Sequence, residues 1–258
     1  MNRAAVQGSN DRTSRLRGAR PSALGLAGAM VFGLAVGLGG CSSEPAGESY
    51  FPLEAGRSWT YRLSSEWENN TRESETVALS NQGRDGALES GSAWRRRSDS
   101  GIDYWLRADD SGIYRVASKT DLDADPKPDE QPRFVLKAPI AAGTSWQAST
   151  TTYLLRRNNE FPPEIRHSHP AVPMTYTIEA LAQKVETPAG RFDDCLRVRG
   201  EAMLKLFADP VVGWRDMPLA TLEWYCRGVG LVRVQRSEPA NSTFLLGGVM
   251  TMELMSWQ

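Results

Sequence analysis

The segment "SWTYRLSSEWE" (residues 58–68) spaces Trp59, Tyr61 and Leu63 two residues apart. A period of two puts the three side chains on one face of an extended strand, where a helix would scatter them. Aromatic residues also favour strands. The same pattern continues outward in "ETVALSNQ" (75–82), "SAWRRRSDS" (92–100), "IDYWLRAD" (102–109) and "GIYRVASK" (112–119). Turn-forming "GRDG", "SDSG" and "ADDSG" separate these runs. "DLDADPKPDEQP" (121–132) reads as an acidic, proline-containing break, after which "RFVLKAPI" (133–140) and the Thr-rich "GTSWQASTTTYLLRR" (143–157) resume the strand pattern. "NNEFPPEIRHSHPAVP" (158–173) holds four prolines and reads as a loop.

Long strands are expected in "MTYTIEALAQKVE" (174–186), "RFDDCLRVRGEAML" (191–204), "ATLEWYCRGVGLVRVQRS" (220–237) and "STFLLGGVMTMELMSW" (242–257). "EALAQKVE" has a helical reading too, but its flanks "TYTI" and "TPAG" favour a strand. Ten or eleven short-spaced strands, by this reading, predict an all-β fold. It is a single antiparallel meander forming a sandwich or a curved, partly open barrel-like sheet over residues 50–258. An outer-membrane barrel would show an uninterrupted lipid-facing stripe, and charges such as those in "WRRRSDS" break it.

Eight tryptophans and seven tyrosines supply bulky core material in a chain of 258 residues that is 40% hydrophobic. Before Cys41 there are five arginines (Arg3, Arg12, Arg15, Arg17, Arg20) against Asp11 alone, a net +4, so the remainder carries −5 of the total of −1. A mildly acidic body argues against a nucleic-acid partner, which selects a basic face.

The arginines of residues 12–20 precede "ALGLAGAMVFGLAVG" (23–37), an uncharged run of 15 residues. Signal-peptide cores run about 7–15 residues, and membrane-spanning helices about 20. "LGGC" (38–41) then resembles the bacterial lipobox, a Leu, two small residues and a Cys. The resemblance implies that residues 1–40 are a cleaved signal peptide and that Cys41 carries diacylglycerol and a further acyl chain such as palmitate. Two or three chains anchor stably where one binds marginally. Ser42 after the cysteine implies the outer rather than the inner membrane, with the protein facing the periplasm or the cell surface. "SSEPAGES" completes a polar tether over residues 41–49. The expected membrane partner is therefore the lipid bilayer, reached through the acylated cysteine.

Three further blocks resemble uncharacterised bacterial lipoproteins: "YFPLEAGRSWTYRL" (50–63), "VETPAGRFDDCLRVRG" (185–200) and "WYCRGVGLVRVQ" (224–235). They cover about 45 residues and imply architecture alone. Pro188 and Gly190 suit a turn into the next strand, and Gly228 and Gly230 a bulge or a close backbone approach.

With Cys41 lipidated, Cys195 and Cys226 are the two remaining thiols. In an oxidising compartment they are expected to form a disulfide, the alternatives being two buried thiols or a reactive one. His167 and His169, with Glu160 or Glu164, have the residue types of a transition-metal site, but a proline-rich loop without a third histidine favours solvated side chains. Asp121, Asp123 and Asp125 occupy the first ligand positions of a calcium loop whose sixth and twelfth positions are Pro126 and Pro132, so the loop fails as an EF-hand. No phosphate loop, nucleophile elbow or zinc-protease motif is present. No catalytic residue, resident metal or cofactor is expected, and the tryptophans are read as core.

The sequence therefore points to a lipid-anchored cell-envelope protein with a non-enzymatic binding or scaffold β domain, taking a protein or a hydrophobic small molecule as partner. The first alternative is a carrier or acceptor of hydrophobic ligands or lipoproteins, with a curved open sheet around a dry pocket of Trp, Leu and Met. The second is an envelope hydrolase.

Overall fold

A computed structural model describes residues 49–157, 171–209 and 211–258, all within the second of the chain's two units, Ser43–Gln258. Among them are fourteen strands and no helix. The first half contributes β1 (Ser58–Trp67), β2 (Arg72–Asp85), β3 (Ala93–Ser98), β4 (Asp103–Asp109), β5 (Gly112–Lys119), β6 (Lys127–Lys137) and β7 (Ser145–Thr150). The second contributes β8 (Arg156–Arg157), β9 (Val172–Thr187), β10 (Gly190–Asp209), β11 (Gly213–Cys226), β12 (Gly230–Glu238), β13 (Leu245–Leu246) and β14 (Gly248–Trp257). Twelve form one antiparallel sheet in the order β6-β5-β4-β3-β2-β1-β14-β12-β11-β10-β9-β7, while β8 and β13 pair separately.

The order is a meander whose ends meet. β1 pairs with the last strand, Tyr61 opposite Leu254 and Leu63 opposite Met252. The sheet's two edges, β6 and β7, follow one another in sequence, and two side-chain hydrogen bonds cross the seam between them. Arg133 Nε donates to the Ser149 carbonyl at 2.7 Å, and Trp146 Nε1 donates to the Phe134 carbonyl at 3.2 Å. The result is a nearly closed barrel, which protects the edges that an open sheet would expose.

The alternation of β1 holds: Trp59, Tyr61 and Trp67 are buried and turn inward. Strands β9 to β11 supply the densest packing, with Met174, Ile178, Leu196, Val198 and Leu219 fully or almost fully buried. Gly200 permits this, because a Cβ there would lie 2.6 Å from Thr221 Cγ2 and 2.8 Å from Met174 Sδ. Cys195 and Cys226 sit directly opposite each other on β10 and β11, 3.9 Å apart at Cα, and form a disulfide across the pair.

Four sequence expectations are corrected. The acidic segment is not a break throughout, since β6 begins at Lys127 and carries Pro128 and Pro132 within it. Proline is excluded from central strands because it cannot donate to the ladder, and β6 is an edge with one side unpaired. The run 220–237 is not one strand but the end of β11 and most of β12, joined by a hairpin at Arg227–Val229. Gly228 (φ 72°) and Gly230 (φ 97°) adopt the left-handed backbone that this turn needs. Likewise 242–257 divides at Gly247 into β13 and β14, and the strand run in 143–157 stops at Thr150.

Each end of the barrel is stoppered. At one end, Phe51 packs on Tyr225, the Tyr50 hydroxyl donates to Asp194 at 2.8 Å, and Asn81 Nδ2 donates to the Pro52 and Glu54 carbonyls at 3.1 Å each. At the other end, two carboxylates gather backbone N–H groups from the covering loops. Glu238 accepts from Tyr153, Leu154 and Leu155, and Glu68 accepts from Ala240, Asn241 and Gly247.

Candidate functional site

Between the two stoppers lies a cavity of about 570 Å³ that is partly open to solvent. Every strand of the large sheet except β10 contributes to its wall. That strand is absent because Leu196, Val198 and Gly200 are spent on packing against β9 and β11. A volume of this size lies within the usual range of about 300–1,000 Å³ for small-molecule sites.

One part of the wall is apolar, built by Leu63 on β1, Leu79 on β2, Val234 on β12, and Met250 and Met252 on β14. The rest is polar. Tyr61, Tyr104, Tyr153, Tyr176 and Tyr225 line it together with Arg96, Arg115, Arg133 and Arg236. This lining matches in part the Trp, Leu and Met cavity expected of a carrier. Leucine and methionine are present, but tyrosine stands where tryptophan was expected, and arginines are added.

Burial is felt by the titrating groups of this wall. It raises the hydroxyl pKa values of Tyr61, Tyr104 and Tyr225, and pushes Tyr176 up to about 12, with Glu223 adding to that shift. Glu223 on β11 is the one carboxylate in the lining. Tyr225 donates its hydroxyl to Glu223 Oε2 at 2.5 Å, yet the loss of water dominates and holds the carboxyl above its ordinary range.

The four arginines are not equivalent. Arg115 is gripped at two points by Asp129, at 2.6 and 2.8 Å. Arg236 pairs with Glu238. Arg96 is only 7% exposed and meets no carboxylate within ion-pair distance among the described residues. Its Nε donates to Asn81 Oδ1 at 2.7 Å and its Nη2 to the Pro52 carbonyl at 2.8 Å, with the Phe51 and Trp59 rings on its faces at 4.1 and 4.5 Å. Burial lowers its pKa to about 10, which still leaves it charged at neutral pH. Arg133 has a single hydrogen bond, from Nε to Ser149, and likewise no carboxylate partner among the described residues.

None of the described residues singled out from sequence lines the cavity. Cys41, His167 and His169, together with Glu160 and Glu164, fall outside the described residues. Asp121 and Asp123 come together near the β5–β6 turn but serve different partners. Asp121 accepts from Arg97 at 3.0 Å, whereas Asp123 accepts from Thr120 and pairs with Lys127. Asp125 is exposed. Among the described residues no three side chains are grouped to hold a metal ion. Trp59, Trp105 and Trp146 are buried core and Trp94 and Trp224 half-buried, so none of them faces the cavity. The lumenal arginines and Glu223 were missed. A signal for them existed in the period of two, which puts Glu223 and Tyr225, and likewise Val234 and Arg236, on a common inward face.

No family model matches the chain, and no curated protein matches it. Two solved structures resemble it: a candidate lipoprotein of Parabacteroides distasonis and a candidate exported protein of Bacteroides fragilis with a YmcC-like fold. Each is 14% identical, with a TM-score of 0.36 over 81% of this chain and 98% of the other. A likeness this distant says nothing about what the present chain binds or does.

Proposed function

We propose that the chain is a lipid-anchored protein of the cell envelope whose barrel holds a small molecule in its lumen without transforming it. The observation that carries the binding reading is the 570 Å³ cavity, bordered by both an apolar and a polar wall. A structural scaffold would gain from filling that space, because unfilled apolar volume costs stability. Anchoring rests on the charged n-region, the short uncharged run and "LGGC", with Cys41 as the acylated residue and residues 1–40 removed. An outer-membrane address follows from Ser42 in the same way.

Glu223 is the feature a hydrolase would use, but among the described residues the lining brings it neither an imidazole nor a second carboxylate, and both histidines lie outside those residues. A carrier or sensor is the better account.

The test is native mass spectrometry of the full chain taken from membranes, paired with displacement of a naphthylamine fluorophore. One small molecule per chain is expected, lost together with fluorophore binding in Val234→Trp, which fills the lumen. An empty wild-type chain with no fluorophore uptake would end the binding reading. A Cys41→Ala chain that still fractionates with membranes would end the anchoring reading.

A further inference from the structure

We infer that the lumenal ligand is an anionic amphiphile, a single apolar tail with a carboxylate or phosphate head, and that its head group seats at Arg133. The inference deepens the lumen-binding reading and rests on it.

The argument starts from charge. Of the four guanidinium groups on the cavity, two are neutralised within the protein, Arg115 by Asp129 and Arg236 by Glu238. Arg96 and Arg133 have no ion-pair partner among the described residues: their hydrogen bonds go to an amide oxygen and to backbone carbonyls. Glu223 borders the same space; its carboxyl accepts from Tyr225, and the charges of Arg133 and Arg236 act on it against the desolvation that raises its pKa. A cavity bordered by two guanidinium groups that have no ion-pair partner among the described residues favours the entry of an anion.

The two cations differ in what they have left to offer. Arg96 belongs to the stopper, with two of its nitrogens committed to Asn81 and Pro52 and its faces covered by Phe51 and Trp59. Arg133 commits only Nε, at the β6–β7 seam, and neither terminal nitrogen makes a hydrogen bond among the described residues. A guanidinium with both terminal nitrogens free presents the planar fork that fits a carboxylate or phosphate at two points. Tyr104 and Tyr176 feel the charge of Arg133 and border the same cavity, placing phenolic donors around the head group. The wall of Leu63, Leu79, Met250 and Met252 receives the tail. An uncharged hydrocarbon would leave the terminal nitrogens of Arg133 without a partner in the cavity, and a small inorganic anion would leave the apolar wall empty.

The experiment measures binding of three probes to the delipidated full chain held in amphipol: hexadecanoate, its methyl ester and hexadecyl phosphate. Hexadecanoate and hexadecyl phosphate are expected to bind tighter than the ester by roughly tenfold or more, as charge-assisted hydrogen bonds to a guanidinium require. Arg133→Gln is expected to bring both anions down to the ester's affinity while leaving the ester unchanged. Arg133→Lys, which keeps the charge and loses the fork, is expected to retain part of the preference and serves as the readout if Arg133→Gln does not fold. Preference for hexadecyl phosphate alone, or hexadecanoate alone, identifies the head group within the inferred class. Equal affinity of all three for the wild type would overturn the head-group inference and leave lumen binding intact. Binding of none of them, with an empty chain from membranes, would overturn both.

Discussion

Arg236 and Glu238 lie two residues apart on β12 and both turn inward, where the buried guanidinium meets a fully buried carboxylate. Glu238 also accepts the N–H groups of Tyr153, Leu154 and Leu155, and Arg236 reaches the Thr151 carbonyl at 2.7 Å. The pair therefore does more than balance charge, since it ties residues 151–155 across the end of the barrel.

Glu238→Ala should accordingly be among the most damaging single changes. It strands Arg236 as a buried charge and releases three backbone donors at once. Removing one partner of a buried pair costs about 3–5 kcal/mol. The midpoint of urea unfolding should fall to match, and a variant within about 0.5 kcal/mol of the wild type would show that loop 151–155 is held by other means.

The disulfide gives a second prediction. Cys195 and Cys226 enclose a loop set by a sequence separation of 31 residues. Chain-entropy estimates put the stabilisation from closing it at about 3–4 kcal/mol. The double variant Cys195→Ala/Cys226→Ala should lose close to that, and reductant should destabilise the wild type but not the variant. Because β10 packs without bordering the cavity, fluorophore binding should survive the substitution in chains that remain folded.

Gly112 and Gly190 separate two kinds of glycine requirement. Both have positive φ, 131° and 132°. A Cβ on Gly190 meets nothing within 4 Å, whereas one on Gly112 would lie 2.3 Å from the Leu136 carbonyl oxygen. Gly190→Ala should cost backbone strain only, about 1–3 kcal/mol. Gly112→Ala adds a backbone clash at the β5–β6 pairing and should lower the melting temperature more. Equal losses in the two variants would mean that β6 yields freely at this edge.

The meander was legible because a period of two survives wherever one face is buried, as in Trp59, Tyr61 and Leu63. Boundaries were less so. "YCRGVGLV" turns on glycines alone, without the polar cluster that marks other turns, so β11 and β12 read as one strand. Pro128 and Pro132 read as a break because sequence does not reveal which strand will be an edge. The site was hidden for a related reason. Arg95, Arg96 and Arg97 look alike as letters, but register sends Arg95 and Arg97 outward to Asp85, Asp103 and Asp121, and Arg96 inward beneath Phe51. A charged residue on an inward face signals a polar lumen only once the closure of β1 on β14 is known.

Glu223 supplies a pH dependence whose direction follows from its burial. Its carboxyl pKa in the folded chain is raised chiefly by desolvation, above the value of about 4.3 it takes in the unfolded chain. Through the window above that unfolded value the folded chain retains a proton that the unfolded chain has released. Stability must then fall as pH rises through the window, and the cost persists at higher pH. Glu223→Gln has no proton to lose and keeps an oxygen to accept the Tyr225 hydroxyl. Denaturant midpoints of the two proteins should therefore coincide near pH 4 and diverge as pH rises, with the glutamine variant the more stable at pH 7. Taking the difference between the proteins cancels the other carboxylates, such as Asp194, whose lowered pKa acts in the opposite sense. Parallel curves from pH 4 to pH 8 would show that Glu223 is solvated through the cavity. The lumen would then be too wet for its arginines to need an anion.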